Sequence, residues 1–302
     1  MIPTYNQEQY IEKTIRSALY QDYNNLEIIV SDDCSSDNTE NIIKKLVSEF
    51  PQIKYFRNFN NIGRVKNYRK LLYEYATGEY VVNLDGDDFF IYKKFISDSV
   101  INIKEEEIKG NKIMFLMACK RFFSPEKGFE LIHKIDNQEL VIPGKEFILG
   151  LFSKYYFSHL TTLYNRKEAL KIDFYRSNII SSDLECIGRL AIQGDVILTK
   201  KIVGQWNGTG NNESKVPDVS KQIVNCKWIE SVANELRGKV SLFKYYYWKL
   251  KAKIYYSSFI ASALFRERKI TSKDLIKMSE NKMVLPFILF ILISPLKKIL
   301  VK

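Results

Sequence analysis

Apolar positions in the first hundred residues alternate between two spacings. Tyr10, Ile11, Ile15, Ala18 and Leu19 recur at helical intervals within NQEQYIEKTIRSALYQ. Residues 26–30, LEIIV, then read as a short apolar strand that leads into Asp32 and Asp33. SSDNTENIIKKLVSEF opens with residues that cap helices and continues through Ile42, Ile43, Leu46 and Val47. IKYFRN reads as a second strand. NNIGRVKNYRKLLYEYA turns on Gly63 and runs as a helix to near Gly78, where the strand EYVVNLDGDD begins. Repeated strand–helix units of this length predict an α/β fold with a mostly parallel, doubly wound sheet.

The middle of the chain is less regular. KIMFLMACKRFF reads as a strand, GKEFILGLF as a helix, and SHLTTLYNRKEAL as strand, turn and helix. SSDLECIGRLAIQG predicts a helix whose apolar face is Leu184, Ile187, Leu190 and Ala191. DVILTKKIVGQW is a strand and NGTGNNES a flexible loop. Beyond residue 240, Phe243, Tyr247, Leu250, Ile254, Ala261 and Phe265 fall on one helical face, beside Lys249, Lys251 and Lys253. The final apolar run, 283–296, is 14 residues long and holds two prolines. A spanning helix needs about 20 apolar residues. The tail therefore predicts a helix lying on an anionic membrane surface, with a helical hairpin packed on the body as the other reading.

Charge sharpens that picture. The 302-residue chain carries a formal net charge of +11. Residues 239–302 hold 14 Lys/Arg against Glu267, Asp274 and Glu280, so the whole excess sits there and the rest is neutral. A nucleic-acid reader would spread its charge around the reading surface, so no nucleic-acid partner is expected. Cys34, Cys119, Cys186 and Cys226 stand far apart without a C-x-x-C pair, which excludes a zinc ribbon or disulfide framework and fits a reducing compartment. The opening MIPTYNQEQY has no basic or apolar segment of the kind that makes a secretory signal.

The candidate chemistry is acidic. In VVNLDGDDFF, Asp85, Asp87 and Asp88 crowd the end of an apolar run, and each raises the cost of ionising the others. A hard divalent cation relieves that repulsion and takes substrate phosphates as its further ligands; an isolated D-x-D is also an ordinary solvated turn. In open α/β sheets ligands collect beyond the carboxyl ends of strands, and three such ends here deliver Tyr5, Asp32/Asp33 and Asp85/Asp87. Neither G-x-G-x-x-G nor G-K-[ST] is present, which excludes a dinucleotide fingerprint and a P-loop.

These stretches together resemble the family-2 glycosyltransferases, inverting sugar-nucleotide enzymes of the GT-A fold. IPTYNQEQYIEKTIRSALYQ, EIIVSDDCSSDNT, NNIG, ATGEYVVNLDGDD and SSDLECIGRLAIQG occur in the family's order, over residues 1–215. The resemblance implies that Pro3 and Tyr5 line a base pocket and that Asp33, with Asp32 adjacent, contacts the nucleobase. It makes Asp85 and Asp87 the D-x-D that holds ribose and a metal–diphosphate, the metal being Mg²⁺ or Mn²⁺. It places Asp183 as catalytic base and His159 near the acceptor. Each has a plainer reading: Asp33 and Asp183 as helix caps, His159 as a satisfied core residue, Arg64 and Lys66 as solvated rather than facing the diphosphate. Family members carry a longer apolar strand before IPTYN, so the first strand is short or its start lies upstream. They also carry Tyr/Trp-Arg-x-His after the base, where QWNGTGNNES has neither Arg nor His.

The expectation is therefore a GT-A domain over 1–215, with a nucleotide-sugar half (1–100) and an acceptor half (101–215), and a helical extension over 216–302. The expected activity is metal-dependent inverting transfer from a UDP-sugar to a saccharide or lipid-linked saccharide, on the cytoplasmic face of the cell membrane. The rivals are a nucleotidyltransferase or phosphatase using the same acidic site, and a non-catalytic basic protein that binds membrane or nucleic acid.

Overall fold

A computed structural model describes residues 1–126, 128–132, 139–209, 218–267 and 271–300. The predicted loop at 207–214 lies outside these from residue 210 onward. The strands are β1 (Ile2–Thr4), β2 (Ile28–Asp32), β3 (Ile53–Arg57), β4 (Tyr80–Val81), β5 (Phe89–Phe90), β6 (Ile113–Ser124), β7 (Gly128–Ile132), β8 (Glu139–Pro143), β9 (Thr162–Asn165) and β10 (Asp195–Asn207). The helices of the body are α1 (Ile11–Leu19), α2 (Thr39–Glu49), α3 (Arg64–Lys70, prolonged by a wider turn over Leu71–Tyr75), α4 (Phe95–Ile108), α5 (Gly144–Gly150), α6 (Arg166–Lys171) and α7 (Ser182–Ala191). Those after β10 are α8 (Val219–Asn225), α9 (Lys227–Leu236), α10 (Leu242–Glu267), α11 (Ser272–Glu280) and α12 (Val284–Leu300).

β1, β2 and β3 pair in parallel, and β4, β9, β6, β10 and β5 follow one another in a second ladder. The two ladders meet through the segment after β4. Met1 donates to the Val82 carbonyl at 2.9 Å, and the Leu84 and Gly86 amides donate back to Met1 and Pro3 at 2.9 and 3.1 Å. Pro3 has no N–H, so the intervening rung is missing at this seam. β10 runs parallel to β6, and β9 lies antiparallel to both β4 and β6. β1, β2, β3, β4, β6 and β10 therefore point one way, with β9 reversed among them. The mostly parallel sheet read from the sequence is present.

The central strands are apolar throughout because both faces are covered. Ile28 and Val30 belong to a core beneath α1, α2 and α4, together with Ile11, Ile15, Ile43, Leu46 and Ile103. Ile29 points the other way, into a larger core with Tyr68, Phe147, Ile187 and Leu190.

The C-terminal helices are continuous with that larger core. Trp228 of α9 and Trp248 of α10 are fully buried, with ring centroids 6.4 Å apart, and Tyr256 packs beside them. The buried side of α10 is Tyr245, Trp248, Ala252, Tyr256, Ile260 and Ala263. The face aligned in the sequence is the outward one: Phe243, Tyr247 and Leu250 are exposed. Phe265 falls outside the described side chains. α10 is apolar on both sides, which a helix packed on only one face does not require.

Candidate functional site

A cleft of about 970 Å³ opens where the strand ends converge. Its walls come from the loop after β1, the turn after β4, the start of α3, the middle of β6 and the N-terminus of α7.

The turn carrying Asp85, Gly86 and Asp87 presses directly on β1. A Cβ on Gly86 would stand 2.6 Å from Thr4 Oγ1, so the residue between the two carboxylates has to be glycine. Thr14 ties the turn down from α1, its one hydroxyl proton shared between the carbonyls of Gly86 and Asp88 at 2.9 and 2.7 Å. The three acidic residues then divide. Asp88 is buried, and its Oδ1 accepts the Asn207 amide at 2.9 Å, fastening the turn to β10. Burial, then the charges of Asp87 and Asp85, push its carboxyl well above the usual range. Asp85 and Asp87 are half-buried and border the cleft. Asp85 Oδ1 accepts from Tyr68 Oη at 2.7 Å and Asn83 Nδ2 at 2.8 Å. Burial and the neighbouring Asp85 push Asp87 up to about 6.

Asp32 and Asp33 also part company. Asp32 is fully buried; its Oδ1 accepts both the amide and the hydroxyl of Ser35, and its Oδ2 accepts from Tyr55 at 3.2 Å beside Arg57 at 3.5 Å. A carboxylate has about four acceptor positions, and these are taken. Asp32 does not border the cleft. Asp33 does, and it accepts three protein donors: Asn58 Nδ2 (2.9 Å), the Ile62 amide (2.9 Å) and the Gly63 amide (2.8 Å). One position is left over. Gly63 reaches Asp33 from the left-handed region, φ 88°, where glycine is favoured. Pro3 and Tyr5 line the same end of the cleft, with Tyr5 46% exposed.

Across the cleft, Asp183 is the second residue of α7, and its Oδ1 accepts the Leu184 amide at 2.8 Å. The helix cap is Ser181, held by Asn225 at 2.8 and 2.9 Å, so Asp183 is not the cap residue. The helix N-terminus favours its negative charge.

His159 lines the cleft as well, and its Nε2 shares a 2.8 Å hydrogen bond with the Tyr175 hydroxyl. Burial holds it below the usual histidine range, against the pull of Asp183 and Asp85. Its segment can lie against β10 because Gly204 has no side chain: a Cβ there would meet Thr161 and Leu160 at 2.9 and 3.1 Å. Arg64 borders the cleft and donates to the Ile180 carbonyl at 2.8 Å, while Lys66 stays exposed outside it.

Sequence reasoning passed over Lys120 and Trp206, which complete the wall. A signal was present: β6 is buried and apolar from Ile113 to Cys119, and Lys120 is the first charge that interrupts it.

A divalent cation fits this turn as a shared ligand rather than as a caged one. Among the described residues no group of three or more His, Cys, Asp or Glu converges on one point. Asp85 and Asp87 supply two hard oxygen donors close enough for the charge of Asp85 to raise the Asp87 carboxyl. Such a pair suits Mg²⁺ or Mn²⁺ completed by phosphate oxygens and water.

The fold is GT-A, that of a large class of glycosyltransferases. The structure aligns with Staphylococcus aureus TarS residues 1–349 in complex with UDP-GlcNAc at a TM-score of 0.68 and 18% identity, over 93% of this chain and 78% of that one. It aligns with the mannosyltransferase PcManGT of Pyrobaculum calidifontis, in complex with GDP-Man and Mn²⁺, at 0.58 and 16%, over 98% and 86%. Residues 1–114 match the glycosyl transferase family 2 model. Among curated relatives, the GalNAc(5)-diNAcBac-PP-undecaprenol β-1,3-glucosyltransferase of Campylobacter jejuni is 32% identical over 164 residues, 52% of this chain and 49% of that protein. The UDP-Glc:α-D-GlcNAc-diphosphoundecaprenol β-1,3-glucosyltransferase WfaP of Escherichia coli is 34% identical over 124 residues, 41% and 43% of the two chains. The chain thus spans about half the length of the curated relatives it matches.

Proposed function

We propose that this protein transfers a sugar from a UDP-sugar to a hydroxyl of a saccharide or lipid-linked saccharide, with inversion. The observation that carries the reading is that Asp33, Asp85, Asp87 and Asp183 come from two separate strand ends and one helix start, yet border one cleft. The names of the relatives support it, since two act on diphosphoundecaprenol-linked sugars and a structural neighbour holds UDP-GlcNAc.

Asp33 receives the base through its remaining acceptor position, with Tyr5 and Pro3 beside it. Asp85 and Asp87 hold Mg²⁺ or Mn²⁺ against the diphosphate; when bound, the ion offsets the negative charge that grows on the departing UDP. Asp183 accepts the proton of the acceptor hydroxyl as its oxygen bonds to the anomeric carbon and the carbon–phosphate oxygen bond breaks. A single displacement of this kind inverts the anomeric centre, and among the described residues His159 is hydrogen-bonded to Tyr175 rather than to a serine or cysteine that could act in a covalent step. His159, fixed by Tyr175, stands on the acceptor side.

The C-terminal helices would seat this cleft on the cytoplasmic face of an anionic membrane. Among the described residues, fifteen of the twenty-three exposed large apolar side chains lie within residues 242–293. They include Phe243, Tyr247 and Leu250 of α10 and Leu285, Ile288 and Leu292 of α12. Concentration of this kind marks an interaction surface, and the basic excess of the same segment complements anionic headgroups. No helix among the described residues is long and apolar enough to cross a membrane.

The reading is tested by product analysis over a panel of nucleotide sugars with a lipid-linked saccharide acceptor. Release of UDP with a glycosylated acceptor supports it. Release of pyrophosphate or inorganic phosphate would point to a nucleotidyltransferase or phosphatase instead.

A further inference from the structure

Lys120 borders the cleft within electrostatic reach of both Asp85 and Asp183. In the parallel pairing of β6 with β10, Lys120 registers with Gly204, and Phe122 with Trp206. Registered residues share a face of the sheet. The Phe122 and Trp206 rings are accordingly 4.8 Å apart, and Lys120 Nζ lies 5.1 Å from the centre of the Trp206 ring. Lys120 and Trp206 both border the cleft.

The Lys120 ammonium forms no ion pair or hydrogen bond within the described residues; its one close partner is the Trp206 ring. Its charge is nonetheless felt by Asp88, Asp183 and Asp85. Asp85 belongs to the end read as the diphosphate site and Asp183 to the end read as the base. A transferred sugar has to lie between these ends, because its anomeric carbon joins the diphosphate on one side and the acceptor on the other. An ammonium within reach of both has three donors to offer a hydroxylated ring, and the indole beside it offers an apolar surface to the ring's C–H face.

We propose that Lys120, backed by Trp206, binds hydroxyl groups of the transferred sugar and so sets donor-sugar preference. This rests on the nucleotide-sugar reading of the cleft. Its chemistry differs from that of Asp85 and Asp87, which would hold the UDP portion common to all such donors.

The test is calorimetric titration of UDP, UDP-glucose and UDP-N-acetylglucosamine, each with Mn²⁺, into wild type and Lys120→Met, which keeps the side-chain stem and removes the charge. UDP affinity should change by less than about twofold. The sugar nucleotide that wild type prefers should lose ~10-fold or more, the worth of a hydrogen bond to a charged group, and Lys120→Arg should recover part of it. An equal loss for UDP would put Lys120 on the diphosphate and overturn the proposal. Unchanged affinity for every ligand would reduce it to an electrostatic neighbour of Asp88, and also overturn it. Failure of wild type to bind UDP at all would instead overturn the reading of the cleft.

Discussion

Tyr68 donates its hydroxyl to Asp85 Oδ1 at 2.7 Å from a position that is only 1% exposed. With Asn83 on the same oxygen at 2.8 Å, it fixes the carboxylate from behind. Asp85 therefore meets its ligand in one orientation, set by Tyr68 and Asn83. Partners behind metal-binding groups are worth about 10–100-fold in affinity or activity. Tyr68→Phe should lower Mn²⁺-dependent UDP affinity about 10-fold while leaving the melting temperature nearly unchanged. Wild-type affinity in the variant would show that Asn83 alone suffices.

Asp183 faces a sharper test. Asp183→Asn should cut turnover at least ~100-fold, the usual worth of a general base, with UDP binding near normal by calorimetry. Ser181, not Asp183, stands at the N-cap position of α7 and is held there by Asn225, so the variant should fold. Full turnover would remove Asp183 from the chemistry.

Glu27 joins the start of β2 to the turn before β4. Its Oε1 accepts the Thr77 and Gly78 amides at 2.7 and 2.9 Å, and its Oε2 accepts Lys54 Nζ at 2.7 Å. Burial alone would raise this carboxyl, but those bonds hold it at about 2, against an ordinary 4.5. Because the folded value is depressed, the stabilisation is complete above about pH 4.5 and is lost as pH falls toward 2. Glu27→Gln should cost about 1–3 kcal/mol at pH 7, and urea titrations should show the gap to wild type closing between those pH values. A gap independent of pH would contradict the assignment.

The tail should bind membranes through its outward face. Removing residues 239–302 would strip Trp248 and Tyr256 from the core beside Trp228, so point changes are the cleaner probe. Leu285→Glu, Ile288→Glu and Leu292→Glu together should abolish flotation with vesicles containing anionic lipid. High salt should release wild type only in part, since screening weakens the charge contribution and leaves apolar insertion intact. Equal flotation of variant and wild type would rule the face out. A wild-type dimer made monomeric by the same changes would assign the face to self-association.

Much of this was legible in the sequence because both of its signals are local. Apolar period located α1, α2, α7, β6 and β10, strand-end polarity pointed to Asp33, Asp85 and Asp87, and the family resemblance pointed to Asp183 at a helix start. What was missed depends on neighbours distant in the chain. α7 was read with one apolar face, yet it is buried almost all round, and its Glu185 and Arg189 are fully buried as an ion pair at 2.8 Å. Arg189 also donates to the carbonyls of Ile172 and Asp173. No periodicity shows a charge that is satisfied by a loop. The outward face of α10 was visible as a stripe, but the sequence could not say that the opposite side, with Trp248 and Tyr256, would be the one to pack. Lys120 gains its meaning only from Trp206, 86 residues further along the sequence.

Metal-dependent nucleotide binding at the turn after β4 is the property on which every role proposed for the cleft depends. Calorimetry should find that wild type binds UDP with Mn²⁺ and much more weakly without it. Asp85→Asn and Asp87→Asn should each lose the metal-dependent part. Unchanged Mn²⁺-dependent UDP affinity in both variants would contradict the assignment of this cleft.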